Sequence, residues 1–334
     1  MNHHVVFTGP CEVAVESAEM PTPGPGEVLI RTSKTAISTG TELTMLMSDF
    51  PEGSKWDQIT SYPHTPGYSN VGRIVEVGAG VEGFAPGDRV ASAGRHQAWV
   101  IAGAGQLFPI PDAIADDAAT LWQVGRIAFN GMRRGQIQMG ESVAVFGLGI
   151  IGQLAAQLAR LEGARPVIGV DLSPLRRRFA GQAGIDLVLD GAAEDLRQRI
   201  EEATCGRMLD CVLEVTGVAA LIPREMELLH RQGRIVIISS PRGKTQFDFH
   251  DYVNSPSLTI IGAHNNSHPP VETWYNQWTP QRNVELLFDL MAAGEVRARH
   301  LITHRFAWRD APAAYAMLME DRTQAGAVVL DWSD

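Results

Sequence analysis

Between residues 143 and 262 the chain alternates two patterns. Short apolar, β-branched runs fall at 143–146, 166–170, 187–189, 211–215, 234–239 and 258–262. Between them apolar residues recur at helical spacing up to Leu161 and over 176–183, 193–203 and 219–230. Strand and helix in strict alternation predict an α/β fold with a doubly wound parallel sheet. The chain before this reads differently. From residue 1 to about 111, strand formers such as Val28, Ile30, Ile74, Val75, Val77 and Val90 stand beside Gly and Pro, which predicts a small, curled antiparallel β-domain. Residues 44–66 are polar and aromatic without a period, a long loop or partly helical excursion of the kind that is often functional. Helical character begins near Ala115. Past His264 come a polar, aromatic loop, a helix near 284–293, the run ITHRFAW, a helix over 310–319 and a strand over 326–332, which read as a return to the first domain. The boundaries are 1–118 with 266–334 for the β-rich domain and 119–265 for the parallel-sheet domain.

The first strand of the parallel sheet ends in Gly147-Leu148-Gly149-Ile150-Ile151-Gly152, and a helix follows. In such a strand–turn–helix the first Gly permits the turn, the second lets a pyrophosphate approach the backbone, and the third allows close helix–strand packing. The free N–H groups at the helix start attract phosphate. The next strand ends in Asp171, about 20 residues beyond the glycines, where a carboxylate accepts hydrogen bonds from the adenosine ribose and repels a 2′-phosphate. These residues predict a Rossmann dinucleotide site that prefers NAD. Arg176, Arg177 and Arg178 keep NADP open, although most of that run reads as a solvated helix face. Thr216, Gly217 and Ser239, at the carboxyl ends of later strands, are expected to face the dinucleotide as well.

Composition narrows the picture further. A hydrophobic fraction of 45% with 20% charged residues is that of an ordinary soluble protein, and a formal net charge of −10 argues against nucleic acid or an anionic membrane as partner. No apolar run is long enough to span a bilayer and MNHHVVFTGP does not read as a signal peptide, so a cytoplasmic protein is expected. Cys11, Cys205 and Cys211 form no CxxC pair and read as buried small hydrophobes.

The stretch GRIVEVGAGVEGFAPGDRV, together with VAVFGLGIIG and Asp171, resembles the motifs of the medium-chain dehydrogenase/reductase superfamily, and the order of parts matches over essentially the whole chain. That resemblance implies a GroES-like β-rich catalytic domain beside the Rossmann domain, and a homodimer or dimer-based tetramer paired through the last sheet strand. Many members hold a catalytic zinc. Where they carry Cys-Gly-Thr-Asp this chain has Thr39-Gly40-Thr41-Glu42; where they carry Gly-His-Glu it has Gly67-Tyr68-Ser69; and Gln123 stands in the place of a further Cys. Thr, Tyr, Ser and Gln do not supply the thiolate, imidazole or carboxylate donors that zinc takes, so no zinc is expected, with Glu42 as the one donor that a rearranged site could use. ISTGTE, PGYSNVG, LITHR and VLDW look most like a zinc-lacking subgroup that includes bacteriochlorophyllide 3-hydroxyethyl dehydrogenases and sugar- or polyol-type dehydrogenases.

Without zinc, a side chain or water must handle the substrate oxygen. Tyr68 occupies the place of the zinc-binding His. Its phenol is set to donate a hydrogen bond to a carbonyl or, with a lowered pKa, to accept a proton, against the alternative of a space-filling aromatic. Thr41 matches the family's hydroxyl relay position. A second cluster lies in AHNNSHPPVETWYNQW: His264 is a candidate acid/base, and Asn265, Asn266, His268 and Trp274 are candidates for gripping a polyhydroxylated substrate, against the alternative of a loop that supports a subunit interface. Trp56 and His64 in the earlier loop share that ambiguity. The expected activity is a secondary alcohol–ketone interconversion with NAD on a sugar or polyol. An enone or quinone reductase, a porphyrinoid hydroxyethyl dehydrogenase and a non-catalytic dinucleotide sensor are the alternatives.

Overall fold

The computed structural model describes residues 1–333. It contains two compact units. The first comprises Met1–Gln123, Val284–Ala293 and the chain from Ala298 onward; the second comprises Val124–Asn283 and Gly294–Arg297.

In the first unit β1 (Asn2–Gly9) and β2 (Glu12–Ala18) form an antiparallel ribbon. Seven further strands make one curled sheet: β3 (Glu27–Ile37), β4 (Asn70–Val77), β5 (Arg89–Ser92), β6 (Trp99–Gly103), β7 (Phe108–Pro109), β14 (Ile302–Ala307) and β15 (Ala327–Asp331). The path runs β14-β15-β3-β4-β5-β7, with β6 also paired to β3. Alternation along β3 and β4 sends Val28, Ile30 and Ile74 inward to meet Val90, Val100 and Leu107. A second core joins Val5 and Phe7 of β1 to Leu43 and Leu46 of α1 (Thr41–Leu46), Tyr315 and Leu318 of α10 (Ala311–Asp321), and Leu330 and Trp332. The aperiodic stretch 44–66 carries the last part of α1 and the short α2 (Lys55–Ile59), capped by Ser54, whose Oγ accepts from the Asp57 N–H. The chain from Ala298 onward belongs to this β-rich unit.

The second unit is a six-stranded parallel sheet in the order β10-β9-β8-β11-β12-β13, built from β8 (Val143–Phe146), β9 (Val167–Asp171), β10 (Leu187–Asp190), β11 (Leu209–Glu214), β12 (Leu229–Ile237) and β13 (Thr259–Gly262). The order reverses at β8, so the crevice outside β8 and β11 is the topological switch point where such sheets bind ligands. Helices α4 (Trp122–Gly135), α5 (Ile150–Leu161), α6 (Pro174–Gln182), α7 (Leu196–Ala203) and α8 (Ile222–Met226) connect or precede the strands. This is the Rossmann and GroES-like architecture that the sequence predicts.

Four local expectations change. The helix expected over 219–230 shrinks to a 3-10 turn at Ala219–Leu221 and α8, because Leu229 pairs with Leu209 and the buried Leu228-Leu229 pair opens β12 early. The second unit runs to Asn283 rather than ending at residue 265. What ties the loop after β13 to this unit is Asn130 of α4, whose Nδ2 donates to the His264 carbonyl (2.8 Å) and to Ser267 Oγ (2.9 Å); further on, Trp278 is stacked between Arg133 and Arg282. The arginine run after Asp171 is less solvated than expected. Arg177 pairs with Asp190 at 2.9 Å and donates to the Asp171 and Leu172 carbonyls, leaving only Arg178 exposed. Of the cysteines, only Cys211 is buried; Cys11 and Cys205 are exposed at turns with φ of 59° and 53°, where the backbone conformation decides burial. No helix among the described residues is long and apolar enough to cross a membrane.

Candidate active site

The glycine turn is assembled as its sequence demands. Gly147 has φ +90°, and a Cβ there would lie 2.8 Å from the Val215 carbonyl carbon; a Cβ on Gly152 would lie 1.8 Å from the Gly147 carbonyl oxygen. Only hydrogen fits at either place. At Gly149 nothing stands within 4 Å of the Cβ position, so the start of α5 faces open space of the kind a pyrophosphate fills. Leu148 follows the turn with its N–H donating to Asp171 Oδ2 (2.7 Å), Ser173 N–H donates to Oδ1 (2.7 Å), and Arg176 Nη1 lies 3.8 Å from Oδ2. Asp171 is thereby fixed beside the turn with lone pairs left for ribose hydroxyls. Ile150 opens α5.

A residue absent from the sequence-based site organises the neighbouring loop. Glu214, fully buried at the end of β11, accepts from the N–H groups of Thr216 (2.7 Å) and Gly217 (3.0 Å), from the Thr216 hydroxyl and from Ser239 Oγ. One carboxylate thus shapes all three positions assigned to the dinucleotide. Its signal was in the sequence, a lone acid at a strand's carboxyl end two residues before Thr-Gly. These features fit a dinucleotide, whose pyrophosphate and ribose this turn and Asp171 would hold.

The candidates for proton handling belong to the first unit. Thr41 and Glu42 open α1, directly after β3, and Tyr68 precedes β4, which pairs with β3; the sheet register therefore brings the two segments together. The Tyr68 hydroxyl donates to Ser38 Oγ and reaches Thr41 Oγ1 at 3.3 Å. A pocket of about 280 Å³ is lined by Thr41, Glu42, Met45, His64, Pro66, Gly67, Tyr68, Ala93 and Arg95. Burial, and next the negative charge of Glu42, push the Tyr68 phenol above its usual range, while the hydrogen bonds to Ser38 and Thr41 pull against this. A raised phenol runs against the lowered pKa that proton acceptance would need; in the structure the hydroxyl keeps its proton and donates it to Ser38. Beside it, burial and then the Arg95 charge lower the His64 pKa, so the ring is neutral at physiological pH. Trp56 is half-buried on α2 and does not line the pocket.

Behind the pocket lies a buried network that motif reading missed. Glu42, 2% exposed, accepts from Ser38 N–H (3.0 Å), from His96 Nε2 (3.0 Å) and from the Tyr315 hydroxyl. His96 Nδ1 meets Thr35 Oγ1 at 2.7 Å, and Trp332 Nε1 donates to the same oxygen at 3.0 Å. Donation from Nε2 to Glu42 and acceptance at Nδ1 from the Thr35 hydroxyl satisfy every group in this chain. Glu42 is therefore committed to three donors and is not a spare metal ligand. Nor do the other positions fit zinc: Tyr68 bonds Ser38, Ser69 donates to the Thr120 carbonyl, and Thr39 and Gln123 offer neither imidazole nor thiolate.

The remaining candidates lie on the second unit. His264 is exposed, and its Nδ1 accepts from the Asn266 N–H at 3.3 Å, capping a 3-10 turn. His268 is buried, with Nδ1 2.9 Å from the Asn265 carbonyl; burial lowers its pKa, the hydrogen bond to Asn265 opposes this, and Arg126 adds to the lowering. Trp274 is 97% exposed.

A turn built for a dinucleotide on a Rossmann sheet, with a GroES-like unit carrying hydroxyls and a buried acid, defines the class. The zinc-binding dehydrogenase family model matches residues 151–279 and the alcohol dehydrogenase GroES-like domain model residues 24–112. Both matches, and the relatives below, support a likeness to the zinc-type alcohol dehydrogenase-like proteins of the medium-chain dehydrogenase/reductase superfamily. Among curated relatives, L-threonine 3-dehydrogenase of Pyrococcus horikoshii is 28% identical over 319 residues, covering 86% of each chain. Among solved structures, 2R,3R-butanediol dehydrogenase from Bacillus subtilis superposes with a TM-score of 0.81 at 22% identity over 99% of both chains. A protein from Sinorhizobium meliloti 1021 described as a zinc-binding dehydrogenase, bound to NADP, gives a TM-score of 0.80 at 23% identity over the same share.

Proposed function

We propose that this dehydrogenase interconverts a secondary alcohol and a ketone on a small hydroxylated substrate, a sugar or polyol, without zinc and with NAD preferred over NADP. The observation that carries this reading is the Tyr68 hydroxyl, held by Ser38 and Thr41 in the pocket where metal-dependent relatives place a zinc-binding His. The relatives are named as dehydrogenases of threonine and butanediol, both acting on CH–OH groups. A pocket of about 280 Å³ sits at the lower end for ligand sites, which favours a small substrate over a tetrapyrrole.

The bound dinucleotide supplies hydride chemistry. In the reducing direction Tyr68 turns its O–H from Ser38 to the substrate carbonyl oxygen and protonates it as charge develops there. In the oxidising direction the substrate hydroxyl gives its proton to Tyr68 Oη while the tyrosine passes its own to the Ser38 or Thr41 hydroxyl, which in turn releases its proton to water. Glu42 acts as a positioning residue, fixing Ser38 through its backbone N–H. Asp171 favours NAD by accepting from ribose hydroxyls and repelling a 2′-phosphate. β13, at the edge of its sheet with Ile260 40% exposed, is the strand we expect a second copy to pair with.

The test is NADH formation by the purified protein with a panel of polyols and sugars, beside NADH oxidation with enones and quinones. Oxidation of polyols supports the reading. Reduction of enones with no alcohol oxidised would replace it with a double-bond reductase, and tight NADH binding with no turnover at all would replace it with a sensor.

A further inference from the structure

Only two of the residues lining the Tyr68 pocket carry full charge at neutral pH, Glu42 and Arg95. They are in opposite states. Glu42 is buried, and its oxygens are taken up by Ser38 N–H, His96 and Tyr315. Arg95 is exposed, and its one hydrogen bond, from Nη1 to the Thr65 carbonyl, ties the side chain to the pocket's own loop without touching its charge. No carboxylate lies within ion-pair distance of Arg95 among the described residues. The guanidinium has five donors in a rigid fork that matches an oxyanion, and most of them are uncommitted here. Next to it, His64 is held in place by a pair of backbone hydrogen bonds to Phe7 (2.8 and 2.9 Å), and its neutral ring adds a hydrogen-bonding group without adding charge. The pocket therefore joins hydroxyls at Thr41 and Tyr68 with one anchored cation that makes no ion pair among the described residues.

We propose that Arg95 is a specificity-determining residue that binds an oxyanion of the substrate, so that the natural substrate is an acidic hydroxylated molecule, a hydroxy acid or a phosphate ester, rather than a neutral polyol. This deepens the reading above and rests on it for the reaction, but not for the binding. A carboxylate or phosphate on Arg95 orients the molecule so that a hydroxyl-bearing carbon is presented to Tyr68. Neutral polyols lack that anchor and enter in several orientations.

The experiment separates binding from turnover. Erythritol, D-erythronate and erythritol phosphate share a carbon skeleton and differ in the end group. Their affinities for the full-length protein saturated with NADH are measured by calorimetry in the wild type, Arg95→Ala and Arg95→Lys, and NADH formation from each is measured separately with NAD. The expected result is that at least one of the two acids binds wild type tenfold or more tightly than erythritol. In Arg95→Ala that ratio falls to near unity, in Arg95→Lys it is partly kept, and added salt weakens it. Erythronate or the phosphate ester, whichever binds tighter, names the anion. A ratio near unity in wild type, or one that Arg95→Ala leaves in place, overturns the proposal. Anion-selective binding without NADH formation leaves the Arg95 subsite standing and removes the dehydrogenase reading instead.

Discussion

Each unit buries a carboxylate beside its functional loop, and the two are satisfied in opposite ways. Glu214 takes its partners from close by: the backbone and hydroxyl of the Thr216-Gly217 turn, with Ser239 just past the end of the adjacent parallel strand. Glu42 takes its partners from across the first unit: Ser38 four residues away, His96 and, from α10, Tyr315. The first arrangement shapes a loop and can be rebuilt by local refolding of that loop. The second ties α1, α10 and β15 together through Glu42, His96, Thr35 and Trp332, so a fault in it reaches the core that contains Phe7 and Leu330. The glycine turn is thus locally encoded, whereas the pocket around Tyr68 depends on the integrity of the whole unit.

Replacing Glu42 with Ala should break this contrast most severely. It leaves His96, Tyr315 and a backbone N–H buried without an acceptor, a loss on the order of 3–5 kcal/mol. Urea unfolding followed by tryptophan fluorescence measures it; a loss below ~1 kcal/mol would show that the network is not what holds α1 to α10. Tyr68→Phe removes only the hydroxyl and should leave folding intact, while turnover falls by about a hundredfold or more with NADH affinity changed less than about twofold. Wild-type turnover in that variant would take Tyr68 out of the reaction.

Glu225 of α8 gives the second unit its own pH dependence. Buried, with Glu214 as a further negative charge and neither carboxyl oxygen hydrogen-bonded, its pKa is pushed up to about 9 from 4.5. The folded chain keeps this proton over a range where the unfolded chain has lost it. The contribution to stability is therefore full below pH 4.5 and is lost as pH rises to about 9. Denaturation midpoints should fall across that window, and Glu225→Gln should flatten the slope; an unchanged slope would place the titration elsewhere. The smallest effect is expected at Asp171→Ala: NAD affinity falls by about tenfold, the scale of a lost charged hydrogen bond, and the preference over NADP narrows. Equilibrium binding of both dinucleotides reads this directly, and an unaltered ratio would mean that Arg176 or another group selects the cofactor.

Periodicity and a glycine spacing sufficed for the parallel sheet, its turn and Asp171, because those contacts join residues that a single βαβ unit brings together. The length of the helix after β11 was not readable in the same way, since Leu228 and Leu229 fit a helical stripe and a strand equally well until pairing with Leu209 decides. In the other unit, Tyr68 and Thr41 were legible only against the family's metal positions. Their partner Ser38, the acid behind them and the cation Arg95 come from segments whose meeting depends on the curled sheet, and no local spacing announces it. The phenol's raised pKa is likewise a consequence of burial and of the charge on Glu42, neither of which has a sequence pattern.

The Tyr68 hydroxyl is expected to take the role that a metal fills in zinc-dependent relatives. The most direct measurement is the rate of NADH formation with NAD and a substrate alcohol, by protein dialysed against a strong chelator and checked for metal content, before and after zinc is restored. The same rate is expected in both samples. A chelated enzyme that is inactive and recovers with zinc would contradict it and return Thr39, Tyr68, Ser69 and Gln123 to a metal site.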